Sequence, residues 1–119
     1  MQKNLAINLK ILSINENLFI KRKFHFYNNS FKILDYWNEK YRGASRLFFH
    51  PKVNIEINSK NIIFSNNSQK WEILFSEGTK INSFLYKYSE IYGQFDIASG
   101  LSFHNKKNHH SLIFNNLFT

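Results

Sequence analysis

The sequence predicts an all-β fold, an antiparallel β-sandwich of about nine or ten short strands. Three observations carry that prediction. Apolar residues fall on every second position through most of the chain. Turn residues recur at intervals of roughly 8–12 residues, the spacing of a sandwich or barrel. No stretch carries an apolar stripe at helical spacing over a useful length.

The elements follow in order. In LAINLKI, Leu5, Ile7, Leu9 and Ile11 alternate with polar Asn8 and Lys10, the period of a half-buried strand. In IKRKFHFY, Ile20, Phe24 and Phe26 share one face, and Lys21, Lys23 and His25 the other. Asn28-Asn29-Ser30 tolerate tight turn geometry and lead into FKILDYW. The segment LDYWNEKYRG places Leu34, Trp37 and Tyr41 at helical spacing, but Gly43 follows at once, so a strand ending in a loop fits better. SRLFFH is continuously apolar, as expected of a strand covered on both faces. Its end, His50-Pro51, reads as a strand terminus, because proline has no N–H to give a ladder.

The second half repeats the pattern. VNIEI alternates on Val53, Ile55 and Ile57, and Asn58 to Asn61 form a hairpin loop into IIFS. Asn66-Asn67-Ser68 turn into KWEILFS, with Trp71, Ile73 and Phe75 on one face. Glu77-Gly78 turn into KINSFLYKYS, and Gly93 breaks the chain before QFDIASGLSFH. NKKNHH then links to SLIFNNLF.

At 119 residues, one domain spanning 1–119 is expected, large enough to bury a core without staples. The chain has no cysteine, which excludes disulfides and thiolate metal sites. No segment is apolar for long enough to cross a bilayer as a helix. Asn8, Lys10 and Ser13 interrupt the apolar N-terminus and no small-residue cleavage site follows, so it reads as mature structure rather than a signal peptide. The formal charge of +8 admits an anionic partner, either nucleic acid, a membrane surface or an acidic polysaccharide. It equally fits a solvated, lysine-rich surface. The dense basic run Lys21-Arg22-Lys23 is too short for a nucleic-acid patch.

Chemical motifs are sparse. The histidines His25, His50, His104, His109 and His110 form no metal-binding helix motif. His109 and His110 are adjacent, so on a strand they point to opposite faces and cannot share one ion; a solvated hairpin loop is the expectation for them. No nucleophile elbow and no glycine-rich phosphate loop is present. The acids, Asp35 among them, occupy what read as polar strand or loop positions. Aromatic residues near cations suit a flat sugar ring or a base: Tyr36, Trp37 and Tyr41 with Lys40 and Arg42, and Tyr86, Tyr88 and Tyr92 with Lys87. Core packing competes with that reading at each position. Arg46 lies four residues before His50, so the two would share a strand face and could hold an anion or a carboxylate such as Asp35.

Three segments resemble, in order, the C-terminal β-domain of the heparinase II/III-like polysaccharide lyases, over about residues 24–117. They are FKILDYW, then ASRLFFHPKVNIEI, and then KWEILF with YKYSEIYGQ. The resemblance implies a bacterial protein of the periplasm or cell envelope. It also implies an enzyme that cleaves acidic, uronate-containing polysaccharide by β-elimination when complete. In that family an α-helical toroid supplies the catalytic Asn, His and Tyr, and a His-Asn-Thr motif accompanies a metal-linked histidine. Neither has a counterpart in this sequence, and His104-Asn105-Lys106 is a poor echo at the wrong end. No catalytic residue, metal ligand or cofactor carries over. The expected role is a non-catalytic module that completes the fold beside a toroid, in the same or a separate chain, and flanks the glycan cleft. Arg46, His50, Tyr36, Trp37 and Tyr88 are the candidate glycan or anion contacts. The alternative is a free-standing basic β-module that binds nucleic acid or another polyanion.

Overall fold

A computed structural model describes residues 5–12, 19–37, 44–107 and 109–117. The described residues contain ten strands and no helix: β1 (Leu5–Leu12), β2 (Phe19–Phe26), β3 (Ser30–Trp37), β4 (Ser45–Phe48), β5 (Asn54–Ile57), β6 (Asn61–Ser65), β7 (Lys70–Phe75), β8 (Thr79–Tyr88), β9 (Asp96–Asn105) and β10 (His109–Asn116). They form two antiparallel sheets, one of order β1-β2-β3-β10-β7-β6-β5 and one of order β4-β9-β8. The all-β sandwich read from the alternation is the observed architecture.

The hairpins close where turn residues were expected. The Tyr27 N–H donates to the Ser30 carbonyl, Asn58 to Asn61, and Asn66 to Gln69. Asn66 also accepts from the Ser68 and Gln69 amides through its side-chain oxygen, the local bond that makes asparagine a turn former. Gly78 takes φ of 82°, a left-handed conformation that a side chain would strain, between the ends of β7 and β8. Asn38 to Gly43, where strand and helix competed in the sequence, lie outside the described residues.

The core is built from cross-strand rows, because residues of one parity share a face. Phe24, Ile33, Leu112 and Phe75 stand opposite one another on β2, β3, β10 and β7. Next to them run Phe26, Phe31, Phe114, Ile73 and Ile62. Phe31 and Phe114 stack with centroids 4.4 Å apart. The smaller sheet presses Leu47, Phe49, Ile81, Leu101 and Phe103 onto these rows. Phe49 meets Phe64 across the interface at 5.2 Å.

The two sheets differ in extent, and this leaves two surfaces of note. Leu85 and Ile97 have the inward parity of Ile81, Leu101 and Phe103, yet Leu85 is 73% exposed and Ile97 56%. The distal end of the β8–β9 hairpin therefore carries the apolar face beyond the core. On the opposite face, β4 does not have the two covered sides expected of it. Leu47 and Phe49 point inward, whereas Phe48 is 59% exposed on the outer side.

That outer side is shaped by small residues on the central strand. Ala98, Gly100 and Ser102 of β9 let side chains from β4 and β8 fold over it. A Cβ on Gly100 would stand 2.2 Å from Cζ of Phe84 and 2.9 Å from the Leu47 carbonyl oxygen. The ring can move away, but the backbone oxygen is held by the sheet. Gly100→Ala is expected to cost about 1–3 kcal/mol, the usual range for overpacking. Urea denaturation of the variant checks it, and adding Phe84→Ala should return only part of the loss.

Candidate functional site

A charged row interrupts the apolar rows of the larger sheet. Arg22, Asp35 and His110 stand directly opposite one another on β2, β3 and β10, all on the inward face. Asp35 is 1% exposed and His110 is fully buried. The Arg22 guanidinium grips the carboxylate with both prongs, Nε to Oδ1 at 2.6 Å and an Nη to Oδ2 at 2.8 Å. Ser45, from β4 of the smaller sheet, donates its hydroxyl to Oδ2 of Asp35. Its oxygen lies 2.7 Å from Nε2 of His110. One carboxylate thus joins three adjacent strands and the facing sheet.

Two expectations are corrected here. Asp35 is not in a polar position but in the core, because the bidentate arginine and the serine hydroxyl replace its water. His110 does not belong to a solvated loop: β10 begins at His109, which points out, while His110 points in. Their opposite facing follows from the strand period.

Serine, histidine and aspartate lie together, but not as a nucleophilic triad. In a triad the serine proton goes to histidine and the acid holds the other ring nitrogen. Here the Ser45 hydroxyl is committed to Asp35, so its oxygen accepts from the Nε2–H of His110. Nδ1 is buried without a partner. A bare lone pair there costs less than an orphaned N–H would. With all three groups buried, no substrate carbonyl can reach Ser45. The cluster is an inter-sheet tie.

Burial alone would raise the Asp35 pKa, but hydrogen bonds from Arg22, His110 and Ser45 outweigh it and hold the carboxyl well below the usual carboxylate range. The bond to Asp35 likewise raises the Arg22 pKa against the effect of burial.

The residues singled out from the sequence fall in three places. Trp37 is 5% exposed, on the inward face, edge-on to His110 at 5.2 Å. It packs in the core and offers no face to a glycan. Tyr36 has the opposite parity, on the outside of the larger sheet, with Lys23 Nζ 5.8 Å above its ring. Lys40, Tyr41 and Arg42 lie outside the described residues. Arg46, His50 and Tyr88 all lie along the smaller sheet, where His50 meets Tyr88 and Arg46 stands apart beside Phe84.

Arg46 is exposed and sets its guanidinium 5.8 Å from the centroid of Phe84. His50 lies past the end of β4, in the turn that carries the chain back to the larger sheet, where the Val53 N–H donates to the His50 carbonyl. Pro51 fits that turn, as its missing N–H predicts. The His50 ring meets Tyr88 at 4.8 Å, its Nδ1 accepts from the Lys52 amide, and its Nε2 lies 3.0 Å from Glu90. Tyr88 donates its hydroxyl to the same Glu90 oxygen at 3.1 Å. Arg46 and His50 do not share Asp35; Arg22, Ser45 and His110 hold it. Sequence reasoning missed Arg22, Ser45, Phe48, Phe84 and Glu90. For Arg22 and Asp35 a signal existed: opposite charges on the apolar parity of neighbouring strands. Phe48, Phe84 and Glu90 carried none that set them apart.

Partial burial and the bond to Glu90 raise the Tyr88 pKa, while His50 and Tyr88 lower that of Glu90. Shallow hollows flank the cluster. One of about 160 Å³ is lined by Tyr88, Glu90, Gln94 and Phe95, and one of about 310 Å³ by His50, Lys52, Val53 and Asn66. Among the described residues, no group of three or more His, Cys, Asp or Glu is placed to hold a metal ion.

The chain superposes on the heparan sulfate lyase HepC from Pedobacter heparinus with a TM-score of 0.77, over 98% of this chain and 21% of that one, at 17% identity. The fold is that of a heparinase III β-domain. A mutant of the HepC enzyme gives 0.80 over 95% of this chain and 20% of that one, at 15% identity. A heparinase III gives 0.73 over 96% and 20%, at 16% identity. The heparinase III fold is thus shared almost throughout, while this chain spans about a fifth of the length of those lyases. No family model and no curated protein matches the sequence.

The Asp35 tie generates a stability prediction with a definite sign. An unfolded aspartate titrates near pH 3.9. The folded-state value is lower, so the carboxylate's contribution is full above about pH 4 and is lost as pH falls below it. Asp35→Asn should therefore lose stability at neutral pH, and its deficit should shrink in acid. Asp35→Ala is expected to cost about 3 kcal/mol, the low end for breaking a buried pair, because Arg22 keeps 35% of its side chain in water. Urea unfolding at several pH values measures both.

Proposed function

We propose that this chain is the non-catalytic β-sandwich module of a heparinase II/III-like polysaccharide lyase. It completes the fold beside an α-helical toroid and flanks a cleft for acidic, uronate-containing polysaccharide. One observation carries the reading: the match covers nearly all of this chain and about a fifth of each lyase.

Two features support it. The apolar overhang of Leu85 and Ile97, with exposed Phe95 beside it, is the kind of surface a larger protein body covers. Lys87 sits 4.7 Å above the Phe95 ring and keeps a positive charge at its rim. The second feature is the state of the histidine–tyrosine pair. A tyrosine that removes a sugar proton is best served by a lowered pKa. Tyr88 has a raised one, and its hydroxyl is tied to a carboxylate that would repel a uronate.

The chain alone is expected to release no unsaturated uronate from heparin or alginate, as read by the ultraviolet absorbance of the elimination product. It is also expected to be retained by immobilised heparin more strongly than by a neutral glucan. Robust product formation would overturn the non-catalytic role, and equal retention would overturn the acidic-glycan contact.

A further inference from the structure

We propose that the outer face of the three-stranded sheet is a stacking platform for an acidic oligosaccharide. The sugar chain lies along β8 on Phe48, Phe84 and Tyr86, with an acidic group at Arg46. The proposal rests on the lyase-module reading and adds where the glycan sits and which way its charges point.

The platform follows from sheet geometry. Phe48, Gly100 and Phe84 stand side by side on β4, β9 and β8. Gly100 leaves the space above it empty, so the two phenyl rings close over it, edge to face at 5.4 Å. Tyr86 stands opposite Ala98, meets Phe48 at 5.1 Å and anchors its hydroxyl on the Phe49 carbonyl. The aromatic floor is thus held by contacts within the sheet before any ligand arrives. Preorganisation of this kind lowers the ordering cost of binding. From Phe84 to Tyr88 the strand runs about 13 Å, at about 3.3 Å per residue. That is the span of a short oligosaccharide. The apolar faces of sugar rings stack on such surfaces as other flat groups do.

The ends of the row differ in charge. At one end Arg46 is exposed and stacked, and no carboxylate pairs with it among the described residues. A guanidinium held this way accepts a carboxylate or sulfate without first giving up a partner. At the other end Glu90 already occupies His50. The row is therefore receptive to an anion near Arg46, while near Tyr88 the cationic charge of Lys52 and the His50 ring already face Glu90. A uniformly basic surface would show no such polarity.

Calorimetric titration with size-defined heparin oligosaccharides tests this, with single-stranded DNA and a neutral glucan as further ligands. Phe48→Ala and Arg46→Gln alter exposed side chains, and unchanged thermal midpoints would verify folding. Each is expected to weaken heparin binding about tenfold, the loss of one good contact. Glu90→Gln is expected to strengthen it by removing the repelling charge. Heparin binding that is the same in wild type, Phe48→Ala and Arg46→Gln overturns the platform and leaves the lyase-module reading standing. No heparin binding by the wild type overturns the acidic-glycan reading itself. Weakened binding in Glu90→Gln overturns the polarity. DNA binding as tight as heparin's and equally sensitive to Phe48→Ala overturns the assignment to a glycan.

Discussion

The desolvated carboxylate of Asp35 sets the terms for the rest of the sandwich. A charge this deep is tolerated only if its lone pairs are filled. Filling them requires Arg22 from β2, the Ser45 hydroxyl from β4 and the His110 edge of β10 to be in place together. A slip of one residue in the β2–β3 or β3–β10 register would send Arg22 or His110 to the opposite face. The apolar rows would tolerate an approximate fit far better than this polar row does. The tie therefore specifies register and sheet-to-sheet placement more than it adds net stability, since apolar residues of similar shape can stabilise a core as well.

Register on β4 in turn places the outer surface. Ser45 points in toward Asp35, so Arg46 must point out, Leu47 in and Phe48 out. The parity that buries the serine is the one that presents Arg46 and Phe48 to solvent. Beyond Phe48 the ladder continues for one more bond, from the Phe49 amide to the Ser99 carbonyl, before the turn at Pro51 carries the chain to the larger sheet. That turn brings His50 against Tyr88. The buried tie and the exposed aromatic row are consequences of a single strand register.

Much of this was legible in the sequence, and the limits have physical causes. Strand existence and turn positions were readable because alternation and Asn-, Ser- and Gly-rich turns are local signals, as in LAINLKI or Glu77-Gly78. The burial of Asp35 was readable in principle from parity: in FKILDYW it shares a face with Phe31, Ile33 and Trp37. Only the matching Arg22 on the apolar parity of β2 makes that burial sensible, and the match spans two strands. The pairing of β10 between β3 and β7 is a long-range fact with no local trace. So is the meeting of His50 with Glu90, forty positions apart in sequence. The exposure of Phe48 depends on the smaller sheet having three strands with nothing among the described residues over its outer face, and strand composition does not encode that. Trp37 looked like a ligand contact because it adjoins Tyr36, yet adjacent strand residues point apart, and the same period puts one in the core and the other outside.

The proposed role asks for a surface that holds an acidic polymer rather than one that cleaves it. Elimination needs a base whose proton affinity suits neutral pH and an environment that neutralises the substrate's carboxylate. The His50–Tyr88 contact on the smaller sheet's outer side is bridged by Glu90, an anion where neutralisation of an anion would be required. Arg46, which has no carboxylate partner among the described residues, lies farther along the sheet, beside Phe84 rather than beside Tyr88. At the Tyr88 end, Lys52 stands near enough to Glu90 to lower its pKa, so the positive charge there is already matched by that carboxylate. In the proposed role, an aromatic row with Arg46 beside it suits holding a polymer along its length.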